Sequence, residues 1–378
     1  MRIIQVCPYD MARPGGVQAH VRDLSGFLNA GGHETRIVAP RPVAGGAVPG
    51  VEHCGAARLV SMFSTRFEVS LAGPGELRAL VSRLRHEFRA DIVHLHTPWT
   101  PLVAWQVWRR LGLPMVATFH ATLPGRDATG LSARLLRRAG HHFLAHARAL
   151  VVPSPSPLAH LSPPSGLRVE VIPPSVDLTA WREQGRARHA MGKTSVDGPE
   201  ILFLGRFEPR KGLDVLLSAW PEVAARVPGA RLTIAGGGSL EPLVHAAMSA
   251  PHGERIVLVP SPDDNAARAL MAEADIFAAP APFGESFGIV LIEAMAGGAV
   301  PVAAANDGYA SVLAGGGEEL LVPPGDASAL AARLVALAGD APTLSRLRDW
   351  GATRSSALDI VATGPSYLAL YEDALASS

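Results

Sequence analysis

The run Pro282-Phe283-Gly284-Glu285-Ser286-Phe287-Gly288-Ile289-Val290-Leu291-Ile292-Glu293-Ala294-Met295-Ala296-Gly297-Gly298 reads as a strand-to-helix junction of an α/β protein. An apolar strand at 275–279 precedes it, and residues 289–296 are apolar on nearly every side, as in a buried helix. The first turn of such a helix leaves backbone N–H groups without intrahelical partners, so the opening at Ser286, Phe287 and Gly288 can hold an anion. Glu285 falls in the loop and Glu293 on the helix. One carboxylate can therefore meet a ligand at the helix mouth and the other along its flank. A lone pair of glutamates also fits two solvated charges, but a carboxylate among so many apolar neighbours needs a partner.

Working outward, the same alternation of strand and helix fills the chain. Downstream, a strand at 200–205 runs into Arg206-Phe207-Glu208-Pro209-Arg210-Lys211-Gly212, followed by a helix at 213–227 and a strand at 231–235. Further strands at 255–259, 275–279, 299–303 and 319–322 alternate with helices. Upstream, strands at 2–6, 34–39, 91–95, 114–119, 149–152 and 168–172 alternate with helices at 17–28, 76–88, 102–111 and 131–146. The stretch 41–72, rich in Pro and Gly, gives no clear pattern.

This alternation predicts open parallel sheets, which bind ligands beyond the carboxyl ends of their strands. Tyr9, Gly15, Gly16, Trp99 and His120 all fall at such ends. The expected division is a first Rossmann-like domain at 1–175, a polar linker at 176–198 and a second Rossmann-like domain at 199–359, with a ligand crevice between the two. The final helix, within 360–378, is expected to cross back to the first domain.

Composition fits this outline. A chain of 378 residues with 48% hydrophobic and 18% charged residues is globular and long enough for two cores. Cys7 and Cys54 match no metal spacing or disulfide framework, as expected in a reducing, cytoplasmic compartment. The apolar run at the N-terminus ends at Pro8, too short for a signal peptide, and residues 289–305 contain Glu293 and Pro301, which argues against a membrane span. Residues 1–180 hold 19 Arg, no Lys and 11 acidic residues, a net charge of +8, and the remainder carries −8. The positive half suits an anionic ligand or surface. Its basic helices read either as solvated faces or as sites of peripheral contact with the inner face of a membrane. No stacking aromatics accompany the arginines, so nucleic acid is not an expected partner.

Arg206 and Lys211 follow a strand end, where two permanent cations suit a departing diphosphate, or else form a solvated basic loop. Gly236-Gly237-Gly238 also follows a strand, but position 241 is Glu, so the Gly-x-Gly-x-x-Gly spacing is absent. His94 and His96 alternate as a metal pair would, without a third ligand nearby in sequence, and read more simply as structural histidines.

Glu285 through Glu293 resembles the Glu-x7-Glu motif of retaining family-4 glycosyltransferases, which have the GT-B fold. The stretch 205–212 resembles that family's donor-phosphate loop, and Leu321-Val322-Pro323-Pro324-Gly325-Asp326 its C-terminal signature. Val6-Cys7-Pro8-Tyr9 and the run from Arg13 to Val21 are similar to the phosphatidylinositol mannosyltransferase branch. The usual Gly-x-Pro-Glu after the strand at 299–303 is replaced by Asn306-Asp307-Gly308-Tyr309.

The resemblance implies transfer of a hexose from a nucleotide diphosphate sugar, GDP-mannose or a UDP-sugar, to an alcohol with retention. A phosphatidylinositol-like lipid or a saccharide is the implied acceptor, with no bound metal or other cofactor. It assigns Arg206 and Lys211 to the diphosphate, together with N–H groups at Gly15–Gly16 and at Ser286–Ile289. Glu293 would bind the ribose, and Glu285 and His120 the sugar. Tyr9, Gln18 and Trp99 would face the acceptor. Two other readings share the same frame: a sugar-nucleotide epimerase or phosphorylase, and a non-catalytic nucleotide-sugar-binding protein.

Overall fold

The computed structural model describes residues 1–62, 65–98, 102–120, 131–190 and 198–376. It forms two units, Met1–Val176 together with Ile360–Ser378, and Asp177–Asp359.

In the first unit, strands β1 (Arg2–Val6), β2 (Glu34–Arg41), β3 (Val51–Met62), β4 (Thr65–Leu71), β5 (Ile92–His96), β6 (Met115–Thr118), β7 (Ala149–Val152) and β8 (Arg168–Val171) make one sheet. Its order is β4-β3-β2-β1-β5-β6-β7-β8. All neighbours are parallel except β3 and β4. Helices cover both faces, so β5, β6 and β7 are buried along their whole length and read as continuous rather than alternating.

On one face Ile4, Val93 and Leu95 pack with Leu77, Leu80 and Val107. On the other, Ile3, Ile92 and Val116 pack with Leu24 and Leu28 and with Tyr367, Leu370, Tyr371 and Ala374 of the C-terminal helix Ile360–Ala376. Those last four residues recur at helical spacing and form one apolar stripe. The Ile360 N–H donates to the Val176 carbonyl at 2.9 Å and anchors the start of the helix.

Three stretches differ from their sequence-based expectation. Residues 41–72 hold the antiparallel pair β3/β4 at the sheet edge, where β2 and β3 slip register between Ala39 and Arg41. A bulged edge hairpin interrupts the period of two on which sequence reading depends. The helix expected at 76–88 begins at Pro74, in the first helical turn where its missing N–H costs nothing, and loosens into a π turn over Arg83–Glu87. The stretch 176–198, expected as a linker, carries the helix Thr179–Ala190 of the second unit. That helix seats on a small residue rather than an apolar stripe: a Cβ on Gly185 would lie 2.6 Å from the Gly297 carbonyl oxygen.

The second unit is a fully parallel sheet of β9 (Glu200–Arg206), β10 (Arg231–Gly237), β11 (Ile256–Pro260), β12 (Ile276–Ala279), β13 (Val300–Ala304) and β14 (Leu321–Val322). Its order is β11-β10-β9-β12-β13-β14. The chain winds outward from β9 and then returns to start again at β12, so the loops leaving β9 and β12 stand at the point where the strand order reverses, where open parallel sheets bind their ligands. In the first sheet the same reversal falls between β1 and β5.

Candidate active site

The loop after β9 and the loop after β12 meet at the reversal of the second sheet. They can do so because of Gly212, with φ +70, where a Cβ would stand 2.2 Å from the Pro280 carbonyl oxygen. The contact brings Lys211 Nζ to 2.7 Å from Glu285 Oε1, and the Arg210 guanidinium donates to the same oxygen at 3.3 Å. Arg210 also donates to Glu208 Oε2 at 3.0 Å, while Arg206 lies 3.1 Å from Glu208 Oε1. The side chains of Lys211 and Glu285 are 20% and 12% exposed, whereas that of Arg206 is 52% exposed. Lys211 is thus braced inside the junction, and Arg206 is the more exposed of the two cations.

The helix Ile289–Gly297 starts beside this cluster with no side-chain cap. Its N-cap, Gly288, has φ +120, and a Cβ there would stand 2.6 Å from the Tyr309 ring. A bare helix N-terminus next to three cations is suited to a polyanion. The Phe287 side chain is buried, so this residue can offer only its backbone to a ligand. Glu293 is half-buried one turn along the same helix.

The segment 306–309 buttresses the loop from behind. Asn306 donates from Nδ2 to the Ala281 carbonyl at 2.9 Å and accepts from the Tyr309 N–H at 2.9 Å. Gly308 fits where a Cβ would lie 2.4 Å from the Glu285 carbonyl oxygen. Burial first, and the Glu285 charge second, push the Tyr309 phenol upward, so it stays neutral.

In the first unit, Gly15 and Gly16 open the helix Gly16–Ala30, again without a side-chain cap. A Cβ on Gly15 would stand 2.5 Å from Gln18 Oε1. Gln18 donates to the Asp10 carbonyl at 3.3 Å, and the Asp10 carboxylate accepts from the N–H groups of Ala12 and Val43, each at 2.9 Å. Arg13 pairs with the buried Glu68 at 2.8 Å. Tyr9 packs in part against the small core of Cys7, Met11, Val21 and Ala39.

His120, just past β6, sits 3.0 Å from His96 and with its ring centroid 5.1 Å from that of His20. Burial lowers the His20 pKa to about 4 and holds those of His94, His96 and His120 well below the ordinary range, so these imidazoles are neutral at neutral pH. Trp99 lies outside the described residues.

Each unit therefore gathers its own share of the expected residues: Arg206, Lys211, Glu285, Ser286, Phe287, Gly288, Ile289 and Glu293 in the second, and Tyr9, Gly15, Gly16, Gln18 and His120 in the first. Sequence reading did not single out Arg210 or the support from Asn306, Gly308 and Tyr309. Nor did it single out His20, Gln5 and Tyr371 around His94 and His96. Arg210 was visible only as one more cation of a basic loop. Gly236-Gly237-Gly238 proves structural: Cβ atoms on Gly236 and Gly238 would stand 1.9 Å from the Gly205 and 2.7 Å from the Phe207 carbonyl oxygens.

Two family models match, "Glycosyltransferase Family 4" over residues 14–180 and "Glycosyl transferases group 1" over residues 198–340. The phosphatidyl-myo-inositol mannosyltransferase of Mycolicibacterium smegmatis is 35% identical over 358 residues, covering 90% of this chain and 85% of that protein. That of Propionibacterium freudenreichii is 35% identical over 317 residues, with 81% and 77% covered. Among solved structures, sucrose-phosphate synthase of Thermosynechococcus elongatus superposes with a TM-score of 0.75 at 24% identity, covering 100% of both chains. Anabaena HepE in complex with UDP and glucose also gives 0.75, at 17% identity and with 99% and 100% covered. The two Rossmann-like units are those of the GT-B fold, and the chain is a glycosyltransferase that belongs to family 4, in the group containing the phosphatidyl-myo-inositol mannosyltransferases.

Proposed function

We propose that this glycosyltransferase moves mannose from GDP-mannose to an inositol hydroxyl of a phosphatidylinositol-type lipid, with retention at the anomeric carbon. The observation that carries the donor half is the meeting of Lys211, Arg210 and Glu285 beside the uncapped helix mouth at Gly288. This is a preorganised set of donors for a diphosphate whose charge grows as it leaves. The names of the relatives support the sugar and the acceptor.

In this reading Arg206 and Lys211 neutralise the diphosphate, aided by backbone N–H groups at Gly16 and at Ser286–Ile289. Glu293 accepts from the ribose hydroxyls and Glu285 from the sugar. His120 lies near the sugar's primary hydroxyl, and Tyr9, Gln18 and Trp99 serve the acceptor. The acceptor oxygen bonds to the anomeric carbon on the face from which the diphosphate departs. The phosphate oxygen released from that carbon takes the hydroxyl proton. No step needs a resident metal.

The basic helix Leu131–Leu144 leaves Arg134, Arg138 and His141 exposed at helical spacing, which supports peripheral contact with an anionic leaflet. Among the described residues no helix is long and apolar enough to cross a membrane.

A panel of nucleotide sugars tests the reading by thermal stabilisation, followed by product analysis with phosphatidylinositol. A donor at 100 times its Kd adds about 2.7 kcal/mol. GDP-mannose is expected to stabilise the protein and to yield an α-mannosylated lipid. A shift with a UDP-sugar alone would overturn the donor assignment. Conversion of the donor without acceptor would point to an epimerase, and dependence on inorganic phosphate to a phosphorylase.

A further inference from the structure

Glu68 lies on β4, in the antiparallel hairpin at the edge of the first sheet, yet its side chain is only 8% exposed. A carboxylate so enclosed needs partners for both oxygens. Both go to the loop between β1 and the helix Gly16–Ala30. Oε2 accepts from the Asp10 N–H, and Oε1 accepts from Arg13 Nη1 at 2.8 Å. Asp10, itself buried, ties the same loop to the segment after β2, because its carboxylate accepts from the N–H groups of Ala12 and Val43. Arg22 of the helix donates to the Met11 carbonyl. An edge strand thus sets the path of a loop 58 positions earlier in the chain.

The brace ends on Gln18. The Asp10 carbonyl accepts from the Arg13 N–H at 3.2 Å and from Gln18 Nε2 at 3.3 Å. A carbonyl oxygen only accepts, so the amino side of the Gln18 amide must face it and the amide has one orientation. Oε1 then lies beside Gly15, where a Cβ would stand 2.5 Å from it. Among the described residues this oxygen has no hydrogen-bond partner.

We infer that Glu68 is a positioning residue for the acceptor. Through Asp10 and Arg13 it holds the loop so that Gln18 presents its amide oxygen to a hydroxyl of the acceptor. That last step rests on the role given to Gln18 above; the brace itself does not.

Hydrogen–deuterium exchange without substrate reads the brace, and steady-state kinetics with GDP-mannose and phosphatidylinositol read its consequence. Glu68→Ala is expected to speed exchange of the amides at 9–15 by at least about tenfold, while those of Leu24 and Leu28 in the following helix stay protected. kcat/KM for the lipid should fall about ten- to hundredfold, as for a misplaced binding group. The KM for GDP-mannose should stay nearly unchanged, because Gly16 belongs to a helix closed by the bond from the Ala19 N–H to the Gly15 carbonyl at 2.9 Å. Glu68→Gln keeps an acceptor for the Asp10 N–H and loses only the charge facing Arg13, so it should fall between wild type and Glu68→Ala. Arg13→Ala should match Glu68→Gln, and it carries the test if Glu68→Ala fails to fold. Loop exchange at the wild-type rate in these variants would overturn the brace. Faster exchange with unchanged lipid kinetics, or with the KM for GDP-mannose raised as much as that for the lipid, would overturn the role in acceptor binding. Exchange that rises as expected in a protein without mannosyl transfer would sink the proposed activity and leave the brace standing.

Discussion

Lys211 and Glu285, 74 positions apart in sequence, are joined by a bond of 2.7 Å at the point where the second sheet reverses direction. Arg210 shares the same carboxylate oxygen, so Glu285 is held by two cations. The arrangement sets the position of Lys211 within the loop junction, and in the proposed mechanism it keeps an acidic group within reach of the sugar.

Lys211→Ala and Arg206→Ala should each cost roughly 2–4 kcal/mol in kcat/KM, as does loss of one preorganised donor to a developing anion. Steady-state kinetics with saturating acceptor would check this. Turnover at the wild-type rate in either variant would remove that residue from the mechanism.

The two glutamates should separate kinetically. Glu293→Gln is expected to raise the donor KM with little change in kcat, because ribose contacts are the same in ground and transition states. Glu285→Gln should lower kcat, because it disturbs both the sugar and the Lys211 brace. The opposite pattern would reverse the two assignments.

Gly308→Ala should destabilise the second unit by about 1–3 kcal/mol through overpacking, since the new Cβ would press on the Glu285 backbone. Donor affinity should fall with it. Gly26→Ala offers the contrast: it is exposed in the helix Gly16–Ala30 with nothing within 4 Å, and should stabilise by about 0.5–1 kcal/mol. Urea midpoints of both variants would show the opposite signs.

Acid should weaken the first unit. His20, with a folded pKa of about 4 against an ordinary 6.5, binds fewer protons folded than unfolded between those values. His94, His96 and His120 are lowered in the same direction by burial. Their contribution is complete above about pH 6.5 and is lost as pH falls below it, at up to about 1.4 kcal/mol per pH unit for each histidine. Urea titrations followed by the fluorescence of Trp105 and Trp108 should show this slope. A midpoint constant from pH 7 to 5 would contradict the buried neutral cluster.

Vesicle flotation should show binding to anionic liposomes that weakens with added salt and with Arg134→Glu/Arg138→Glu. Equal binding to neutral vesicles would show that the basic helix is only a solvated face.

Much of this protein is legible in its sequence because the signals are local. Continuous apolar runs mark the buried strands, and a glycine before each apolar helix marks the uncapped mouths at Gly16 and Ile289. The loop cations Arg206 and Lys211 and the pair Glu285 and Glu293 stand beside those marks. What the sequence could not supply is pairing between distant segments. That Arg210 shares Glu285 with Lys211, that Gly288 must be bare to let Tyr309 seat, and that Tyr371 bonds to His94 all depend on sheet order and close backbone approach. The helix at 179–190 escaped notice for the same reason, since one glycine contact replaces an apolar stripe. The sequence alone determined most of the strands and helices and which residues lie at the strand ends. Only the tertiary structure decided which of those residues share an atom, because the reversals at β1/β5 and β9/β12 bring together loops that no local pattern connects.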